Sequence, residues 1–96
     1  MNKITFTDNN KNMWYRVNKT TAKKLYNAGR AICFCPSNLR PFGVWNIGYI
    51  TTKEELTEKD IDADFDKFIN QFEYYNCINA ETGRRTAYYV KQENVF

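Results

Sequence analysis

The chain contains no histidine, and only four of its 96 residues are glycine. The first absence removes the commonest general base, the commonest metal ligand and the partner that a Ser or Cys nucleophile needs. The second leaves no Gly-rich phosphate loop, because Gly29, Gly43, Gly48 and Gly83 are scattered. Cys33, Cys35 and Cys77 do not supply four zinc ligands, and an odd number is not a disulfide framework. Cys33 and Cys35 would share one strand face, where adjacent positions rarely suit a disulfide. All three are expected as reduced thiols, with no metal and no cofactor. No apolar run approaches a membrane span and no N-terminal stretch reads as a signal peptide, so no membrane contact is expected and the expected location is the cytosol. The inventory points to a binding protein rather than an enzyme.

Aromatic residues are plentiful. Seven Phe, seven Tyr and two Trp make up 17% of the chain, enough for a short sequence to build one core. The length suits a single domain over residues 1–96. The net charge is +3, but it is unevenly spread. Residues 1–48 hold eight Lys/Arg and one Asp, giving +7; residues 49–96 hold six Lys/Arg and ten Asp/Glu, giving −4. A basic and an acidic side are expected unless folding interleaves the halves.

Hydropathy patterning gives the element order β-β-α-β-β-α-β. Ile4–Phe6 and Met13–Val17 read as strands around a polar turn at Asp8–Asn12. Asn18 or Thr20 would cap a first helix whose buried stripe is Ala22, Leu25 and Tyr26, closed by Gly29. Ala31–Cys35 and Gly43–Ile50 read as strands separated by a break from Pro36 to Pro41. Thr51–Asp60 is polar and acidic, either a loop or a short helical turn. Ile61, Phe65, Phe68, Ile69, Phe72 and Cys77 or Ile78 fall at helical spacing and define a second helix, with Asp62, Asp64 and Asp66 in its first turn. Thr86–Gln92 is a last strand, with Tyr88 and Val90 on one face and Ala87 and Tyr89 on the other. The fold class is therefore α+β: a four- to five-stranded, mostly antiparallel sheet with two helices on one face. The last six elements have the order of a split β-α-β domain.

Two surfaces compete as the binding site. The first is acidic: Glu54, Glu55, Glu58, Asp60 and Asp62 at the approach to the second helix. Asp62, Asp64 and Asp66 invite a calcium-loop reading, but Lys67 stands where that loop requires Gly, and the same residues fit a helix with a Phe stripe. An exposed acidic face would engage a basic partner or imitate a nucleic-acid backbone. The second surface is basic and aromatic: Arg40, Trp45, Arg84, Arg85 and Tyr89, with Tyr89 on a sheet face free of helices, where rings would stack on bases and cations would meet phosphates, unless these aromatics pack the core or stiffen the strand. The element order invites comparison with RNA-recognition domains, but Gly43-Val44-Trp45-Asn46-Ile47 does not match their basic-Gly-aromatic-small-aromatic hallmark. The pairs Trp14-Tyr15, Tyr74-Tyr75 and Tyr88-Tyr89 cannot place both rings in one core, so some rings are expected to be exposed, as at interfaces. An uncovered edge strand would also allow a homodimer.

Thr21-Ala22-Lys23-Lys24-Leu25-Tyr26-Asn27-Ala28-Gly29, Cys35-Pro36-Ser37-Asn38-Leu39-Arg40, and Phe65-Asp66-Lys67-Phe68 through Phe72-Glu73-Tyr74-Tyr75-Asn76-Cys77 resemble small proteins of phages and mobile elements of low-GC bacteria. That resemblance implies a host-cytosol protein of the anti-defence kind, such as an anti-CRISPR inhibitor. Its partner would be a host defence protein or ribonucleoprotein complex. A nucleic-acid-binding module is the alternative.

Overall fold

The structure is a computed structural model that describes residues 5–8, 11–37, 48–79, 81 and 85–91. Among the described residues, five strands and three helices follow one another as β1 (Thr5–Thr7), β2 (Met13–Val17), α1 (Lys19–Asn27), β3 (Ile32–Pro36), β4 (Tyr49–Thr51), α2 (Lys53–Glu58), α3 (Phe65–Tyr75) and β5 (Thr86–Lys91). The strands form one sheet in the order β1-β2-β5-β3-β4, and every neighbouring pair is antiparallel. β2 and β3 both run antiparallel to the β5 strand between them, so they are parallel to each other and joined through α1. β4 and β5 are related in the same way around β3. Two split β-α-β units therefore interlock, which places the last strand in the middle of the sheet.

The expected α+β architecture holds, with one addition. The polar stretch after Thr51 is a true helix, α2. Thr52 caps it by accepting the Glu55 N–H at 3.1 Å, and Leu56 anchors it, fully buried. Asn18, not Thr20, caps α1, its side chain accepting the Thr21 N–H at 2.8 Å. α3 begins at Phe65, later than the Asp series suggested, and Asp64 is its cap, accepting the Lys67 N–H at 3.1 Å. Of the three aspartates only Asp66 lies in its first turn. The expected strand over 43–50 is described only at its end, as Tyr49–Thr51; residues 43–47 lie outside the described residues.

All three helices end in the same way. Arg30 N–H donates to Leu25 O, Ile61 to Leu56 O and Ile78 to Glu73 O, while the residue before each donates to the carbonyl three back. That is the Schellman closure, whose C′ residue takes a left-handed conformation. Gly29 occupies it in α1 with φ +90°, but Asp60 and Cys77 occupy it in α2 and α3 with φ +58° and +53°. Side chains with a Cβ are strained there, Asp less than Cys. Ile78, next after Cys77, is the residue that reaches the core.

The principal core lies between the sheet and the helices. Ile32, Phe34, Tyr88 and Val90 pack against Ala22, Tyr26, Leu56, Phe65, Phe68, Ile69 and Phe72. Phe34 is its hub, with ring centroids 4.9 Å from Phe68, 5.9 Å from Tyr88, 6.0 Å from Phe72 and 6.1 Å from Phe65. Tyr26 ties α1 to the segment before α3, donating its hydroxyl to Ala63 O at 2.7 Å. The opposite sheet face holds a second buried cluster: Trp14, Cys33, Cys35, Ala87 and Tyr89. Both sheet faces are therefore closed, which lets Tyr88 and Tyr89 both be buried.

Candidate partner-binding site

The acidic residues fall into two groups once their neighbours are known. Asp64 caps α3. Asp66 accepts Lys23 Nζ at 2.8 Å and lies 3.8 Å from Lys19 Nζ, tying α3 to α1. That hydrogen bond holds the Asp66 carboxyl below its usual range and lifts the Lys23 ammonium above its own. Asp62 accepts the Asp64 N–H at 3.0 Å and lies 3.7 Å from Lys67 Nζ. These three contribute to holding α3 in place, and Asp66 interleaves the basic and acidic halves. Glu54, Glu58 and Asp60 form the other group. All are exposed, and no ion pair holds them among the described residues. Glu54 and Glu58 stand four apart on α2 and so on one helix face. Glu55 is also exposed and lies at 3.4 Å from the Thr51 hydroxyl, which donates to it.

An apolar groove of about 350 Å³ opens at Ile61, the residue after Asp60. Phe68 and Phe72 line it together with Tyr49 of β4, Ile61, and Gln71 and Tyr75 of α3. Ile61 sits in the chain between the exposed Asp60 and Asp62. Tyr75 is 72% exposed and Tyr74 80%, with ring centroids 5.5 Å apart and nearly perpendicular. Large rings left in water at a groove mouth suit a contact surface. Of the three aromatic pairs, only Tyr74-Tyr75 is exposed as a pair; Trp14 is buried beside a half-buried Tyr15.

The basic-aromatic surface is only partly brought together. Arg40, Trp45 and Arg84 lie outside the described residues. Arg85 is exposed, just before β5, and its N–H donates to Ser37 Oγ at 3.3 Å. Tyr89 lies on the helix-free face, but the stacking role needs an exposed ring and is corrected: the ring packs instead. It is 4% exposed, because it packs with Trp14 and the small side chains of Cys33, Cys35 and Ala87. Its ladder neighbours are Arg16 and Cys33. Lys91 lies over the Trp14 ring at 5.7 Å, a cation–aromatic contact within the fold.

Burial pushes the Cys33 thiol up, and the Cys35 thiol up to about 11, so neither is a thiolate nucleophile near neutrality. Among the described residues no three His, Cys, Asp or Glu side chains are grouped to hold a metal ion, and no helix is long and apolar enough to cross a membrane. The groove and the Tyr74-Tyr75 pair were missed in the sequence as a unit; the signal for them was the pair following a Phe stripe, where the helix turns both rings away from the core.

No protein-family model, curated protein or solved structure matches the chain.

Proposed function

We propose that this protein is a non-catalytic inhibitor of a bacterial defence complex, anti-CRISPR-like in action, that covers a basic, nucleic-acid-binding surface of its target. One observation carries the reading. Glu54, Glu58 and Asp60 are exposed and in no ion pair among the described residues, and Asp60 leads directly into Ile61, which lines an apolar groove edged by the exposed Tyr75. Carboxylates at that spacing offer a basic groove the charge it normally meets on phosphates, and the groove and tyrosines add the apolar anchor that charge alone lacks. The alternative, base stacking on the last strand, is weakened by the burial of Tyr89. The test is phage plating on host strains that each carry one defence system, with and without the protein. The reading expects plating to recover in at least one strain and the recovery to vanish for the folded double variant Glu54→Lys/Glu58→Lys. Unchanged restriction in every strain, with the protein present and folded, would overturn it.

A further inference from the structure

A second concavity, of about 580 Å³, lies where β2 runs into α1 and β5 begins. Val17 pairs with Tyr88, so the start of α1 and the residues leading into β5 come from adjoining segments. Arg16, Lys19 and Arg85 line this concavity, against one carboxylate, Glu73. Its charged lining therefore sums to 3 − 1, or +2. Glu73 accepts the Thr86 hydroxyl at 2.7 Å. Arg16 and Arg85 are both exposed, and neither is in an ion pair among the described residues. Lys19 is only loosely engaged, 3.8 Å from an Asp66 that Lys23 holds at 2.8 Å.

Local stability does not account for this grouping. Lys19 is the first residue of α1, at the positive end of the helix dipole, and no acidic residue in the first turn offsets it. Arg16, Lys19 and Arg85 line one concavity with a single carboxylate, Glu73, among them. Such an arrangement is stabilised when an anion occupies it, and two guanidinium groups present the paired donors that match phosphate oxygens.

We propose that the concavity at Arg16, Lys19 and Arg85 binds a phosphate group, carried on a nucleotide or on a nucleic-acid strand. The site is separate from the acidic face and does not rest on the inhibitor reading. The two guanidiniums supply the contacts to the phosphate, the Lys19 ammonium adds positive charge from the start of α1, and Glu73 opposes it.

The test follows backbone amide resonances of the intact protein at low salt during titration with sodium phosphate, adenosine monophosphate and a ten-residue oligothymidylate. The proposal expects the amides of Asn18, Lys19, Arg85 and Thr86 to shift. Arg16→Ala/Arg85→Ala should weaken binding roughly tenfold or more, as expected when charged hydrogen bonds to phosphate are lost. Glu73→Gln should tighten it, a result that a merely structural role for the arginines would not give. An oligonucleotide that binds more tightly than the mononucleotide, with affinity falling steeply as salt rises, assigns the phosphate to a nucleic-acid backbone. Equal affinities assign it to a free nucleotide. Unshifted amides with all three probes would overturn the proposal, as would shifts that survive in Arg16→Ala/Arg85→Ala. Should that double variant fail to fold, a Glu73→Gln protein that binds no more tightly than wild type would overturn it equally.

Discussion

Replacing Tyr89 with Ala separates a core residue from a stacking platform. The ring is 4% exposed and packs with Trp14, Cys33, Cys35 and Ala87. A Tyr that buries roughly 150–200 Å² at about 25 cal/mol per Å² contributes about 4–5 kcal/mol. Large-to-small aromatic deletions in cores cost about 3–5 kcal/mol, which agrees. A domain of this length has a total stability of about 5–14 kcal/mol, so the variant loses a large share of it. At about 4–8 °C per kcal/mol, the melting temperature falls by at least about 12 °C. Tyr89→Phe keeps the ring and loses at most about 1.5 kcal/mol, the worth of an ordinary hydrogen bond. The assay is thermal and urea unfolding followed by circular dichroism. A Tyr89→Ala melting temperature within about 4 °C of wild type would refute the burial argument and return the ring to the surface.

Four further outcomes follow from the same geometry. Cys77→Gly should raise stability by about 0.5–1 kcal/mol in urea, because Gly takes the left-handed φ of +53° without a Cβ clash; Asp60→Gly should gain less, since Asp tolerates that region. Ellman's reagent should titrate the exposed Cys77 first, with the buried Cys33 and Cys35 reacting only as the fold opens. Tyr88 is pushed up to about 12 and Cys35 to about 11 by burial, so the unfolded chain ionises first and stability should decline as pH rises from about 9 towards 12. For the Lys23–Asp66 pair, the lowered Asp66 value gives stability above its unfolded pKa that is lost as pH falls through the folded one, and the raised Lys23 value gives stability that is lost as pH rises through its own. The difference between wild type and Lys23→Ala should therefore be present at neutral pH, vanish in acid, and shrink with added salt, as read by urea unfolding.

The elements with strong periodic signals were legible in the sequence. Met13–Val17 reads as a short apolar strand and is one over that span; the Phe65, Phe68, Ile69 and Phe72 stripe is the buried face of α3; Tyr88 and Val90 share a sheet face as the alternation requires. Gly29 marked the end of α1 because glycine is the ordinary left-handed residue. The ends of α2 and α3 carry no such mark, since Asp60 and Cys77 do the same work without being glycine. That is why the stretch after Thr51 read equally well as a loop, although Leu56 anchors a helix there.

The candidate site was legible in part for a related reason. A row of carboxylates looks uniform in sequence, and only the folded structure distinguishes Asp64, which caps α3, and Asp66, which pairs with α1, from Glu54, Glu58 and Asp60, which are exposed and in no ion pair among the described residues. Alternation gives the strand face of Tyr89 but not whether that face is covered. The groove at Tyr49, Ile61 and Phe72 joins residues from three segments, and no local pattern announces it.

The central claim is that a basic partner docks on the acidic face beside that groove. Affinity capture from a nuclease-treated host lysate tests it most directly, comparing wild type, Glu54→Lys/Glu58→Lys, Tyr75→Ser and Arg85→Ala, each shown to be folded. The account predicts a protein partner that survives nuclease, is lost on charge reversal, is weakened by Tyr75→Ser and is retained by Arg85→Ala. A partner that disappears with nuclease, or that binds the charge-reversed variant as well as wild type, would contradict it.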